Sequence, residues 1–373
     1  MNRNLEVERE KAVIVYGVLK KDKSNVREFV YELKSLSETA GARVLEVFVQ
    51  RVERFNPSLL VGKGKLNEVK EFVHKNGIDV VIFGNDLTPL QHENLEDFLK
   101  TKVVDRTELI LDIFAQHARS KEGKIQVELA QLRYRLNQLV GRGKELSRLG
   151  GGIGTRGPGE TKLEVDRRRI KNRISKLQRE LEKVRKSRAE QRKGRKRSGI
   201  PHFALVGYTN VGKSSLLNLL AKSNVLVEDK LFATLDPTTR RVYIGDGMVV
   251  LVSDTVGFIE NLPSDLFEAF KATLEEIEEA DYVIHVIDAS NFDIGRELES
   301  VNRILNLLDV TDKPVIHLFN KIDLVDEELL RKKFEKRLEN SVFVSVKEKR
   351  GIEELKEMMR KMVERKIDEI KVG

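Results

Sequence analysis

The sequence predicts a mixed α/β protein in three segments. These are a small parallel α/β domain over residues 1–118, an antiparallel helical hairpin (a coiled coil) over 119–198, and a doubly wound α/β domain over 199–373. Three observations lead there. Short β-branched runs alternate with amphipathic stretches at both ends of the chain. Two apolar heptad seams occupy its middle. The basic excess is concentrated in one of those two helical stretches. A chain of 373 residues with 40% apolar content is long enough for two or three packed domains.

In the first segment, "AVIVYGVL" (12–19), "RVLEVFV" (43–49), "DVVIFG" (79–84) and "KVVD" (102–105) read as strands. Between them "VREFVYELKSLSETA" (26–40), "LNEVKEFVHKNG" (66–77) and "LQHENLEDFLK" (90–100) read as helices. Strand–helix alternation of this kind argues for a parallel sheet. "VGKGKLNEV" (61–69) lacks the four-residue spacer of a phosphate loop and reads as a turn before a helix.

In the second segment, Ile125, Leu129, Leu132, Leu136 and Leu139 are spaced 4-3-4-3. Leu163, Ile170, Ile174, Leu177, Leu181 and Val184 are spaced 7-4-3-4-3. Two such seams predict two helices joined by a tip near residues 141–161. From Glu160 to Ser198 there are 17 Lys/Arg against 6 Asp/Glu, a net of +11, whereas the whole chain carries +8. So dense a charge destabilises itself unless a polyanion approaches, which points to nucleic acid. The tip contains Gly152, Gly154 and Gly157 in a G-x-G-x-x-G pattern. A dinucleotide fingerprint needs a strand before it, and here a heptad helix ends near Leu149. The tip therefore reads as an RNA-facing connector that Arg148, Gly154, Arg156, Gly157 and Lys162 bring against RNA, with Arg156 reaching phosphate and the glycines allowing close backbone approach. "RKGRKRSG" (192–199) reads as a basic linker.

The third segment has strands "HFALVG", "MVVLVSD", "DYVIHVID", "PVIHLFN" and "SVFVSV" with helical patterns between them. "GYTNVGKSS" (Gly207, Tyr208, Thr209, Asn210, Val211, Gly212, Lys213, Ser214, Ser215) fits G-x-x-x-x-G-K-[ST] between a strand and a helix. Its backbone N–H groups suit phosphate oxygens, Lys213 suits the β- and γ-phosphates, and the Ser214 hydroxyl suits Mg²⁺. "SDTVGF" sets Asp254, Thr255, Val256 and Gly257 at a strand end. Asp254 there suits Mg²⁺ through water, and the Gly257 N–H suits the γ-phosphate. "FNKID" (Asn320, Lys321, Ile322, Asp323) follows another strand. A carboxylate accepts both the N1 and N2 donors of guanine, a pair adenine lacks, so the expected nucleotide is GTP or GDP.

These residues resemble a P-loop GTPase of the translation-factor-like class. "LFATLDPTTRR" (231–241), "DTVGFIENLP" (254–263), "HARSKEGKIQVELAQLRYRL" (117–136) and "GGGIGTRGPGETKLEVDRRRI" (150–170) are similar to the HflX family of ribosome-associated GTPases. The resemblance covers nearly the whole chain. It implies an α/β domain, a helical hairpin and a GTPase domain. It further implies binding to the large ribosomal subunit and its RNA, with splitting of stalled ribosomes, by a chain that is monomeric on the ribosome. By that resemblance Phe232, Ala233, Thr234, Leu235 and Asp236 form a switch that contacts nucleotide, with Thr234 completing the Mg²⁺ shell beside Ser214. Lys213, Thr234 and Gly257 are the expected catalytic set. Ser345-Val346-Lys347 stands where many GTPases have Ser-Ala-Lys, and its backbone N–H suits the guanine O6. Some members carry a further C-terminal domain, which is not expected after the helical stretch 351–367.

Phe258 occupies the position after D-x-x-G where related enzymes use Gln to orient water. Slow intrinsic hydrolysis, accelerated by a partner, is expected. Glu260 and Asn261 are the nearby polar alternatives. The chain has no Cys, which excludes disulfides, thiolate metal sites and thiol catalysis, and its six His show no ligand spacing. No N-terminal stretch resembles a secretory leader and no apolar run spans a membrane, so the expected location is cytoplasmic. The alternative function is an RNA-binding scaffold or RNA-remodelling NTPase in which the GTPase domain is a regulatory switch.

Overall fold

A computed structural model describes residues 9–22, 25–149, 162–197, 199–222, 231–232, 234–259, 266, 274–291 and 293–372, with side chains omitted at 140–149, 162–163, 187–197, 367 and 369–372. The expectations at Ala233, Gly154, Arg156, Gly157, Glu260 and Asn261, and those on the side chains of Arg148, Lys162 and Leu163, lie outside the described residues. The chain divides into two compact units. One comprises Met1–Gln116 with Lys124–Leu181, the other His117–Gly123 with Glu182–Gly373.

The first unit contains β1 (Lys11–Leu19), α1 (Val26–Thr39), β2 (Arg43–Val52), α2 (Lys63–Asn76), β3 (Val80–Phe83), α3 (Pro89–Leu99), β4 (Lys102–Asp105) and most of α4 (Arg106–His117). Its four strands lie in the order β2-β1-β3-β4, all parallel. β1 is buried along nearly its whole length, as a central parallel strand must be. β2 lies at the sheet edge and its side chains are mostly exposed or half-buried. α2 starts directly after Gly62, so the 61–69 stretch is a turn leading into a helix. α3 begins with a capping box in which Thr88 and Gln91 satisfy each other's backbone N–H, and Pro89 opens the first turn. Val13, Val15, Val81 and Phe83 pack with Leu66, Val69, Leu95 and Leu99 in one core.

Two long helices follow, α5 (Lys121–Leu149) and α6 (Lys162–Arg197). Ile125, Leu129, Leu177 and Leu181 of the two seams are buried, and Leu132, Leu136, Leu139, Ile170, Ile174 and Val184 are half-buried. Arg173 of α6 grips Glu128 of α5 with two parallel bonds of 2.7 and 2.9 Å. The beginning of α5 departs from a simple seam. Glu122, Gln126, Val127 and Ala130 are buried as well, so its first turns are enclosed around most of their circumference.

The second unit holds β5 (His202–Val206), α7 (Lys213–Leu220), β6 (Thr238–Gly245), β7 (Met248–Asp254), β8 (Tyr282–Asp288), α8 (Ile294–Leu307), β9 (Val315–Asn320), α9 (Glu327–Phe334), β10 (Ser341–Phe343) and α10 (Ile352–Val372). The sheet order is β10-β9-β8-β5-β7-β6, parallel except for the β6–β7 hairpin. From β5 the chain passes to β7 on one side and later returns to β8 on the other. That reversal makes the carboxyl end of β5 the place where such sheets bind ligands. Among the described residues no helix is long and apolar enough to cross a membrane.

Candidate nucleotide-binding site

The loop after β5 takes a path open to few residues. Gly207 has φ +146°, and a Cβ there would stand 2.2 Å from the Val286 carbonyl oxygen. Asn210 and Gly212 also adopt positive φ, at 61° and 96°. A turn of this kind, opening a helix at Lys213, points backbone N–H groups toward the helix N-terminus. The loop is also stitched to the segment after β7. Thr209 N–H donates to Phe258 O at 2.9 Å, and Phe258 N–H donates to Gly207 O at 3.0 Å. Gly257 lies so close that a Cβ would be 2.6 Å from Thr209 Cα. Phe258 itself is buried, so the position that carries Gln in related enzymes contributes packing here.

Lys213 is buried, and its ammonium donates to Gly207 O (2.9 Å) and Tyr208 O (2.6 Å). Burial pulls its pKa down to about 8, against the pull of Asp254 and Glu297. Ser214, Thr234 and Asp254, which come from three separate parts of the sequence, meet in one cluster. Asp254 Oδ2 accepts the Ser214 hydroxyl at 2.6 Å and the Thr234 hydroxyl at 2.8 Å, and the two hydroxyls lie 2.8 Å apart. Asp254 Oδ1 is buried with no hydrogen-bond partner among the described residues. Burial raises the Asp254 pKa, while Lys213 and the two hydroxyls oppose the rise. Two hydroxyls and an unsatisfied carboxylate oxygen are a hard, oxygen-only donor set suited to Mg²⁺. Among the described residues no cluster of three or more His, Asp or Glu offers a competing metal site.

A second group of loops is built on β9 and the turn after β10. Asn320 Nδ2 donates to Val211 O at 2.8 Å, and its Oδ1 accepts the Val346 N–H at 3.1 Å. One side chain thus clamps the phosphate loop to the 345–347 turn. The Ser345 hydroxyl donates to Asp323 Oδ1 at 2.6 Å and accepts the Glu348 N–H at 3.1 Å. That hydroxyl holds the Asp323 carboxyl below its ordinary range, so it is ionised at neutral pH. Lys321 reaches Asp288 at 2.6 Å, with its backbone at φ 66°. Ile322 is buried beneath the turn, and Thr255 donates its hydroxyl to Leu205 O at 2.6 Å, which secures the end of β5. Val256, Phe232 and Leu235 are buried, Ser215 is half-buried, Lys347 is exposed, and Asp236 turns its carboxylate to residues 119 and 120.

Sequence reasoning missed several polar groups behind the loop. Glu297 of α8 is 2% exposed. Its Oε2 accepts Asn291 Nδ2 at 3.1 Å, and its Oε1 has no partner among the described residues. Burial drives its pKa up to about 8. His285 and His317 stand opposite each other on β8 and β9, and burial takes His285 down to about 3. Both leave signals in the sequence. Glu297 occupies the apolar stripe Ile294–Glu297–Val301–Leu305, and the histidines interrupt two β-branched runs.

A switch-point loop on a six-stranded sheet, with the Asp323 carboxylate fixed beyond the end of β9, defines a P-loop guanine-nucleotide-binding domain. The comparisons agree. Family models described as "GTP-binding GTPase N-terminal", "GTP-binding GTPase Middle Region" and "50S ribosome-binding GTPase" match residues 27–115, 117–195 and 202–321. The GTPase HflX of Caldanaerobacter subterraneus subsp. tengcongensis is 55% identical over 80% of this chain and 70% of its own length. The GTPase HflX of Escherichia coli K12 is 44% identical over 93% and 81%. A crystal structure of a GTP-binding protein from Sulfolobus solfataricus in complex with GDP is 28% identical, with TM-score 0.51, and covers 95% of this chain and 99% of that one. The chain belongs to the HflX family of GTPases.

Proposed function

We propose that this GTPase acts on the large ribosomal subunit, splitting or rescuing stalled ribosomes in the cytoplasm. Three segments, 1–118, 119–198 and 199–373, divide the work. The name of the family model over 202–321, "50S ribosome-binding GTPase", supports the partner. So does the net charge of +11 over residues 160–198, which suits ribosomal RNA. Arg148, Gly154, Arg156, Gly157 and Lys162 form the RNA-facing tip in this reading, and the chain works as a monomer on the ribosome.

The site is assigned as follows. The 207–215 loop cradles the phosphates, with Lys213 neutralising the β- and γ-phosphates. Ser214, Thr234 and, through water, Asp254 hold Mg²⁺, which supplies charge neutralisation of the phosphates when bound. The Asn320–Asp323 turn and the 345–347 turn hold guanine, with Asp323 accepting N1–H and N2–H and a backbone N–H meeting O6. Phe232, Ala233, Leu235 and Asp236 flank Thr234 in the switch, and Thr255 and Val256 support the Gly257 N–H that meets the γ-phosphate. The meeting of Ser214, Thr234 and Asp254 is the observation on which this assignment rests.

Phe258 brings no hydrogen-bonding group to an attacking water, and its side chain is buried. Intrinsic hydrolysis is therefore slow, and the ribosome accelerates it by on the order of 10³–10⁵ if it supplies or orders a missing charged group. Turnover with and without large subunits tests this reading. Stimulation that fades steeply with added salt, and tighter binding with a non-hydrolysable GTP analogue than with GDP, are the expected results. Equal binding with both nucleotides and unchanged turnover would overturn it.

A further inference from the structure

Asp236 lies two residues beyond Thr234, and its carboxylate is fully engaged away from the phosphate loop. Its Oδ2 accepts the backbone N–H of Arg119 at 2.9 Å and of Ser120 at 2.6 Å, and its Oδ1 accepts the Ser120 hydroxyl. These partners belong to His117–Gly123, the short stretch of the second unit that leads into α5. The same Ser120 hydroxyl accepts the Gly123 N–H at 2.9 Å, which caps the first turn of α5. Gly123 is itself part of the arrangement. A Cβ there would sit 2.6 Å from Asp236 Oδ1, so a residue other than glycine forces the carboxylate away. One anion thus gathers two backbone donors and a capping hydroxyl at the positive end of a long helix.

We infer that Asp236 is a positioning residue for GTP hydrolysis. It latches the switch segment carrying Thr234 to residues 119–123, so that the start of α5 and the catalytic arrangement of Thr234 form together. The inference rests on the proposed role of Thr234 at Mg²⁺. Switch segments of such enzymes are ordered by the γ-phosphate and Mg²⁺ and released on hydrolysis. A latch on this segment therefore acts on the GTP state and leaves GDP binding alone. Coupling is reciprocal, so a partner that pulls on the start of α5 changes GTP affinity by the factor that GTP changes the partner's affinity.

The test uses the full chain as Asp236→Ala, Gly123→Ala and the double variant, with thermal melts to establish folding. Single-turnover hydrolysis at saturating GTP is measured beside equilibrium binding of GDP. Each single variant is expected to slow hydrolysis by about tenfold with GDP affinity within about twofold of the parent. The double variant is expected to be no slower than either single, because both remove one contact. Ser120→Thr, which keeps the hydroxyl, should stay close to the parent, while Ser120→Ala should fall with the others. An unchanged rate in folded Asp236→Ala, a loss of GDP affinity equal to the loss of rate, or multiplicative losses in the double variant would each overturn the inference.

If the variants do not fold, hydrogen exchange on the parent decides the matter. The Arg119 and Ser120 amides should exchange at least about threefold more slowly with a non-hydrolysable GTP analogue than with GDP. Equal exchange overturns the latch. Thr234→Ala separates the two readings. If it leaves the Mg²⁺ dependence of analogue binding intact, the assignment of Thr234 fails. If it removes that dependence while Asp236→Ala hydrolyses normally, only the latch fails.

Discussion

Asp254→Asn tests the metal side of the site most directly. The carboxylate is 2% exposed, accepts two hydroxyls through Oδ2 and leaves Oδ1 without a partner among the described residues. An asparagine of the same shape keeps an acceptor for Ser214 and Thr234 but removes the negative charge. If Asp254 holds Mg²⁺ through water, it is an outer-sphere partner, whose loss lowers metal affinity by about 10–100-fold. That corresponds to about 1.4–2.7 kcal/mol. The loss should be confined to Mg²⁺-dependent binding. Titration of a fluorescent GTP analogue in millimolar Mg²⁺ should weaken by that factor, while the same titration in excess chelator should change by less than about threefold. Equal losses with and without Mg²⁺ would refute the reasoning. Asp254 would then be a structural member of the phosphate loop, and the orphaned oxygen would have another explanation.

Asp323→Asn replaces a double acceptor with a group that presents a donor to one of the two guanine N–H groups. Guanine nucleotide affinity should fall by on the order of 10²–10³-fold, with xanthine nucleotides, which carry a carbonyl at C2, now preferred; competition binding measures both. Lys213 keeps its proton below about pH 8 in the free protein, and phosphate favours the protonated form. Analogue affinity should therefore be flat in this respect below that pH and fall as pH rises through it, by up to about tenfold per unit. A calorimetric titration across that range showing no decline would contradict the burial of Lys213. Glu297 has its pKa raised from 4.5 to about 8, so its contribution to stability is lost as pH rises across that window, with a slope of up to about 1.4 kcal/mol per unit. Glu297→Gln should remove that slope, and denaturant midpoints at the two ends of the window that track the parent would exclude a neutral buried Glu297.

Much of this architecture was legible because its signals are local. Alternating β-branched runs and amphipathic stretches announce parallel strands and their crossovers, and the described strands of the first unit fall on the runs expected. The nucleotide loops are spelled out contiguously, so they too could be read. α4 was not foreseen. Leu109, Ile110, Leu111, Ile113 and Phe114 are all buried, and an apolar cluster without one-sided spacing shows no helical period. The enclosed start of α5 was missed for a related reason, since the heptad reading assigns burial to one stripe only. Some side-chain pairings were not legible because they form only in three dimensions. Asp288 meets Lys321 across 33 residues, and Asp236 meets Ser120 across 116. No local period encodes either pairing.

The electrostatics behind the loop favour exchange of partners over a fixed ion pair. Burial leaves His285 neutral at pH 7, with its pKa down to about 3, and Glu297 predominantly protonated, with its pKa at about 8. Lys213 then carries the positive charge, and it opposes the rise that burial imposes on the Asp254 pKa. Among the described residues they form no direct ion pair. The ammonium is held by two backbone carbonyls and the carboxylate by two hydroxyls. A buried ion pair adds little net stability, and breaking one is costly. Phosphate drawing on Lys213 and a cation drawing on Asp254 would exchange neutral partners for charged ones, with no ion pair to break first. The path at Gly207 and the clamp through Asn320 hold the loop that carries Lys213 in this arrangement before nucleotide binds.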